Sequence, residues 1–228
     1  YAGSLVNPQL LEYAREGTVI LNSATMTLEE VIDSIKKAEA EGKVTVRLHT
    51  GDQSVYGAVR EQMDELDVLG IKYESCPGVS ACFGAASSLN MEYTLPDISQ
   101  TLIITRMEGR TRVPERESIR SLASHKASMA VYLSTGLLGR LSEELVAGGY
   151  SEETSAAIVY KATWPEEKSF ICTVGTLEKT AAENGIKKTA LIIIWECVTR
   201  NCRVHNGYSR SKLYDPGFET EFRKATEE

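Results

Sequence analysis

Lys43-Val44-Thr45-Val46-Arg47-Leu48-His49-Thr50-Gly51-Asp52-Gln53-Ser54-Val55-Tyr56-Gly57 is the stretch that decides the architecture. Its first six residues are rich in β-branched side chains and read as a strand. A Gly-Asp loop follows at once. Val55, Ala58, Val59, Met63 and Leu66 then recur at helical spacing. Strand, short loop and helix in succession are the repeating unit of an α/β fold. Upstream, Thr18-Val19-Ile20-Leu21 reads as a shorter strand. A helix follows it, with a capping-box pattern at Thr27 and Glu30 and with Leu28, Val31, Ile32, Ile35 and Ala38 on one face. Gly42 is placed to end that helix. Downstream, Lys72-Tyr73-Glu74 reads as a strand leading into Cys76-Pro77-Gly78-Val79-Ser80, and Ala81 to Leu89 as a helix of small residues.

The alternation continues beyond a polar, proline-containing stretch at Asn90 to Gln100, where the lobe boundary is expected: an N-terminal lobe at 1–97 and a C-terminal lobe at 98–228. Strands are expected at Thr101 to Thr105, Met129 to Leu133, Ala156 to Tyr160 and Ala190 to Trp195, with a hairpin-like piece at Ser169 to Thr173. Helices are expected from Pro114, where proline suits the first helical position, from Leu137 to Ala147 with Gly148-Gly149 as the stop, and near Leu177 to Glu183. The tail from Arg200 onward is polar and is expected to extend over the surface.

Composition fits this picture and excludes others. At 228 residues, 42% hydrophobic and 25% charged, the chain is an ordinary globular protein able to bury a core without staples. A formal charge of −7 argues against a general nucleic-acid surface, which would be basic. No apolar run is long enough to span a bilayer and no signal peptide is visible. The five cysteines, Cys76, Cys82, Cys172, Cys197 and Cys202, form no C-x-x-C pair, which speaks against a zinc site or disulfide framework and for reduced thiols in the cytoplasm. The chain opens at Tyr1 without an initiator methionine, on a segment that reads as the end of a strand, so the natural protein is expected to begin earlier.

In α/β folds ligands bind outside the carboxyl ends of strands, which directs attention to four loops. In the first, Gly51 permits close backbone approach to a ligand and Asp52 supplies a charged acceptor; a tight turn with a helix cap is the competing reading. In Cys76 to Ala81, Ser80 either caps the next helix or places its first amides at a ligand. The third, Thr105 to Arg116, holds Arg106, Arg110, Arg112 and Arg116, forks suited to carboxylates. A solvated helix start balanced by Glu115 and Glu117 is the alternative there. In the fourth, Tyr160 to Lys168, Trp164-Pro165 makes a rigid corner and Ala162 leaves room for a flat ligand; the alternative is a structural turn with Trp164 in the core. His125 and His205 have no recognisable partner pattern. There is no nucleophile elbow, P-loop or G-x-G-x-x-G, so hydrolase, kinase and classical dehydrogenase readings lack support.

Taken in order, several segments resemble the tetrapyrrole methylase family. They are Tyr1-Ala2-Gly3-Ser4-Leu5-Val6, Val46 to Asp52, Pro77-Gly78-Val79-Ser80, Leu95 to Thr101, Thr105-Arg106 with Glu108-Gly109-Arg110-Thr111, Val159 to Pro165 and Ser211-Lys212-Leu213-Tyr214-Asp215-Pro216. The likeness spans essentially the whole chain. It implies two α/β lobes, each a mixed sheet flanked by helices, with the N-terminal one on the substrate side and S-adenosylmethionine held between the two. Glu-Gly-Arg-Thr, Lys-Ala-Thr-Trp-Pro and Ser-Lys-Leu-Tyr-Asp-Pro point within the family to methyl transfer onto C-11 of precorrin-4, or its cobalt form, giving precorrin-5 in cobalamin biosynthesis. The resemblance puts donor contacts at Thr50, Gly51, Asp52, Val55, Ser80, Ala81, Leu133 and Ala162, and implies a homodimer. It also implies a first strand and glycine-rich loop ahead of Tyr1, and a proline where Gln53 stands, so the N-terminal lobe is expected to be truncated.

A sulfonium donor is already activated, so the protein mainly has to align the reactants and exclude water. Arg106, Arg110 and Arg112, clustered after a strand, are the expected anchors for substrate carboxylates, and Glu108 is the candidate base. Two alternatives stand beside this: methylation of a different ring position, and a binding-only form without turnover.

Overall fold

Secondary structure in the computed structural model follows the local signals closely in the second half of the chain and departs from them in the first. Residue 1, residues 3–195 and residues 211–226 are described. Cys197, Cys202, His205 and the start of the polar tail lie outside them, as does Ala2. By contacts the chain divides into two units, Tyr1–Phe83 and Gly84–Glu228.

The first unit is built on two helices. Helix α1 spans Leu28–Ala40 and starts with the expected capping box: Glu30 N donates to Thr27 Oγ1 at 3.3 Å and Thr27 N to Glu30 Oε2 at 2.8 Å. Gly42, at φ +67°, turns the chain away after it. Helix α2 spans Arg60–Leu69 and ends on Gly70 in the left-handed region. Val31, Ile32 and Ile35 pack with Leu66, and Met26, Leu28 and Ile71 close the cluster. The expected start of α2 at Val55 is corrected: Tyr56 and Ala58 both have positive φ, so 53–58 turns before the helix begins.

The strands expected at Thr18 to Leu21, Lys43 to Leu48 and Lys72 to Glu74 are not formed as a hydrogen-bonded sheet. A ladder needs a neighbour, and among the described residues these segments make no ladder with one another. Val44 is 92% exposed and Val46 74%. Their β propensity is real, but among the described residues nothing pairs with it.

The second unit contains the sheet. Helix α3, Ala81–Leu89, carries the chain across the division. Strands β1 (Leu102–Arg106), β2 (Ser128–Tyr132), β3 (Ser155–Tyr160), β4 (Lys168–Thr173) and β5 (Ala190–Ile194) lie in the order β1-β2-β5-β3-β4. Among the described residues only β1 and β2 run parallel; β5 is antiparallel to both β2 and β3, and β4 to β3, so this sheet is mixed as expected. Helices α4 (Ile119–Ala123), α5 (Leu138–Ala147) and α6 (Leu177–Glu183) accompany it. Leu138, Leu141 and Leu145 recur on one face of α5 and are buried with Met129, Val131, Ile158, Leu177, Ile192 and Ile194 in one core. Burial of each of the larger aliphatic side chains contributes about 2 kcal/mol. The helix expected from Pro114 is shorter than the pattern implies. Glu115–Glu117 is a 3₁₀ turn, and Ser118 Oγ, accepting from Ser121 N at 3.2 Å, starts α4. The polar stretch before β1 belongs with this unit, because Ser128 Oγ donates to Tyr93 O at 2.7 Å and Ser128 N to Ser99 Oγ at 3.1 Å.

Candidate functional site

Two loops of the first unit are clamped face to face by one carboxylate. Asp52 Oδ2 accepts from Gly78 N at 2.8 Å, and Oδ1 accepts from Ser54 N at 2.9 Å and from the Ser54 hydroxyl. Donation by the Ser54 side chain, then by the Gly78 and Ser54 amides, holds the Asp52 carboxyl down at about 2. Asp52 therefore builds the turn, as the competing structural reading has it, and ties it to the Pro-Gly-Val-Ser loop. Glycine is required on both sides. Gly51 has φ +60°, and a Cβ there would stand 3.3 Å from Ser80 Cα. A Cβ on Gly78 would overlap Gly51 O and stand 3.0 Å from its carbonyl carbon. Ser80 is buried, whereas Thr50, Gly51 and Ala81 are exposed and Val55 is half-buried. The clamp thus leaves an open backbone rim over Thr50 to Asp52 and Ala81.

His49 stands at the base of this loop. Among the described residues its buried Nε2 has no hydrogen-bond partner, and burial, then the charge of Arg47, lowers its pKa. No pattern in the sequence signals this, because burial of one ring atom depends on the fold.

In the second unit, the expected donor positions sit at strand ends. Leu133 follows β2 with φ +53° and is 60% exposed, an apolar side chain held outward by an uncommon backbone conformation. Ala162 follows β3 between Lys161 at φ +47° and Thr163 at φ +68°. That turn is heavily braced. Lys161 N donates to Thr189 O at 2.9 Å, Trp164 N to Lys161 O at 2.9 Å and Thr163 N to Glu167 Oε2 at 2.5 Å. Lys161 Nζ lies 4.8 Å from the Trp164 ring centroid and 3.6 Å from Glu166 Oε1. Trp164 is half-buried beneath that ammonium rather than lost in the core. Gly84 of α3 abuts the turn: a Cβ there would meet Thr163 Cγ2 at 2.9 Å and Ala162 Cβ at 3.9 Å.

The arginine loop after β1 divides by role. Arg106 donates to the carbonyls of Met107, Thr111 and Arg112. Its fork is directed into its own loop, which alters its expected role as a carboxylate anchor. Arg110 and Arg112 are exposed, and among the described residues neither side chain has an ion-pair partner. Glu108 is exposed on the same loop, and His125 is exposed elsewhere.

Within the second unit, the exposed Leu133 and the small Ala162 offer apolar contact points that suit a flat heterocycle. The unpaired arginines suit a polycarboxylate. No helix among the described residues is long and apolar enough to cross a membrane.

The chain is similar to known proteins. The chain is 51% identical over 225 residues to the cobalt-precorrin-4 C(11)-methyltransferase of Methanocaldococcus jannaschii, covering 99% of this chain and 85% of that one. It is 43% identical to the enzyme of the same name from Priestia megaterium, over 98% of this chain and 86% of the relative. The X-ray structure of a cobalamin biosynthetic enzyme, cobalt precorrin-4 methyltransferase, superposes with a TM-score of 0.84 at 43% identity, covering 87% of this chain and 83% of that one. The model of the tetrapyrrole (corrin/porphyrin) methylases matches residues 1–178, and the chain belongs to that family.

Proposed function

We propose that the protein transfers a methyl group from S-adenosylmethionine to C-11 of cobalt-precorrin-4 or precorrin-4, giving the corresponding precorrin-5 and S-adenosylhomocysteine. The observation that carries this reading is the shared end of β1 and β2. An outward apolar residue, Leu133, stands at the end of one strand, and two unpaired arginines, Arg110 and Arg112, follow the other. That pairing suits methylation of a large anionic macrocycle. The names of the relatives described above support the ring position.

The residues present fit the donor. Thr50, Gly51, Asp52, Val55, Ser80 and Ala81 would hold it through the backbone rim that the Asp52 clamp keeps open, and Leu133 and Ala162 would line its heterocycle. When bound, the donor supplies an electrophilic methyl on a sulfonium. The chain's own work is alignment: Arg110 and Arg112 fix the substrate through its carboxylates, and the braced Ala162 turn and the Asp52 clamp keep the contact surfaces from shifting. Asp52 acts by position, since its oxygens already accept from Ser54 and Gly78. Glu108, exposed beside Arg110, is the candidate to take up a proton from the methylated macrocycle. The enzyme is read as a cytoplasmic homodimer on the family likeness; light scattering of the purified protein tests the dimer.

Product analysis decides the reaction. The purified chain, S-adenosylmethionine and each precorrin-4 form should give a product whose new methyl resonance correlates with C-11. A methyl at another ring carbon would move the protein to a different branch, and donor binding without methyl transfer would make it a binding form. Arg110→Ala should raise the substrate KM about tenfold with little change in donor Kd, the effect of losing one charged hydrogen bond. An unchanged KM would exclude the anchoring role.

A further inference from the structure

Arg106 and Tyr132 are register partners on parallel strands, so β1 and β2 release the chain side by side. Past β1 runs the loop that presents Arg110 and Arg112; past β2 comes the left-handed turn at Leu133. Two side chains fasten these segments, and neither is directed outward. The Ser134 hydroxyl, fully buried, accepts from Met107 N at 2.9 Å and donates to Tyr132 O at 2.7 Å. It thus joins the first residue of the arginine loop to the residues on both sides of Leu133. Arg106 laces the loop from within, with Nη1 donating to Met107 O and Thr111 O at 3.2 Å each and Nη2 to Arg112 O at 2.9 Å. A planar fork with fixed donor directions can hold carbonyls this far apart along the chain at once; an ammonium on a flexible stem cannot.

We propose that Arg106 and Ser134 are positioning residues for the methyl transfer. Arg106 sets where Arg110 and Arg112 stand, and Ser134 ties their loop to the Leu133 turn. The substrate's carboxylates are thereby registered against the donor wall by two side chains that touch neither ligand. This rests on the reading that Arg110 and Arg112 bind substrate and Leu133 the donor.

The test is a double-mutant cycle on the full chain, with substrate KM and kcat from steady-state methyl transfer, donor Kd from calorimetry and Tm for each variant. Arg106→Ala should raise KM about tenfold while donor Kd stays within about twofold. Because Arg106 acts through Arg110 and Arg112, the Arg106→Ala/Arg110→Ala double variant should rise by clearly less than the product of the single effects. Arg106→Lys should behave like Arg106→Ala, since charge without the fork does not hold the loop. Ser134→Ala should raise both KM and donor Kd; if it does not fold, the Arg106 series decides alone. Multiplying effects in the double variant, or rescue by lysine, would show Arg106 meeting the substrate itself and overturn the proposal. So would a lowered Tm with KM unchanged. If Arg110→Ala itself leaves KM unchanged, the underlying substrate reading fails first, and that single variant identifies it.

Discussion

Gly78→Ala is the sharpest probe of the clamped loops. A Cβ at this position would overlap Gly51 O and stand 3.0 Å from the Gly51 carbonyl carbon. The obstacle is backbone, so no side-chain rotation relieves it. Carbon and oxygen approach comfortably no closer than roughly 3.3 Å, so the two loops must part by about 1 Å. The same movement pulls Gly78 N off Asp52 Oδ2, a bond of 2.8 Å that holds the loops together. A misplacement of about 1 Å in a surface that aligns reactants costs roughly a hundredfold in rate, or about 2.7 kcal/mol of barrier. Steady-state methyl transfer should therefore show kcat/KM down about a hundredfold, with weakened donor binding by calorimetry. Gly136→Ala is the control, since a Cβ there meets nothing within 4 Å. If Gly78→Ala binds donor and turns over within about twofold of the parent, the clamp is not what shapes the donor surface.

Three further outcomes follow from the same geometry. Asp52 has its folded-state pKa depressed from 3.8 to about 2, so its stabilisation is fully present above pH 4 or so and is lost as pH falls through about 2. The Tm gap between the parent and Asp52→Asn should close over that window, and a gap constant from pH 7 to pH 2 would contradict it. Gly84→Ala brings a methyl to 2.9 Å from Thr163 Cγ2 and should raise donor Kd roughly tenfold by displacing the Ala162 turn, with an unaltered Kd as the refuting result. Leu141→Ala removes a fully buried side chain from the α5 face and should lower stability by about 3 kcal/mol in urea titrations; a loss under about 1 kcal/mol would mean the core refills.

Much of the second unit was legible from pattern alone. Leu177–Glu183 is helical where its apolar spacing says so, and the continuous apolar run from Ala190 is a strand with neighbours on both sides. Helix α1 was legible because Thr27 and Glu30 cap it locally. The strands of the first unit were misread for a definite reason. Val44-Thr45-Val46 shows what a segment prefers when a partner lies beside it, and no local pattern reports whether one does. The site shows the same limit. Arginine at position 106 announces a fork seeking oxygen, but whether that oxygen belongs to a ligand or to the loop's own carbonyls depends on how residues 107–112 curl back. The turn at Asp52 was legible from the Gly-Asp pair itself, while the bond from Gly78 is visible only in the fold.

The strand order carries a consequence for how the protein is made. β5 is the last of the described strands in sequence, yet it occupies the middle of the sheet, with β2 on one side and β3 on the other. On the ribosome, β1 with β2 and β3 with β4 can pair as they emerge, but they remain two half-sheets with bare inner edges until Ile194 is out. At a synthesis rate of roughly 5–20 residues per second, the edge of β2 then waits several seconds for its neighbour. Those edges are aggregation-prone in the interval. Any premature stop before Ala190 leaves the sheet without its middle strand.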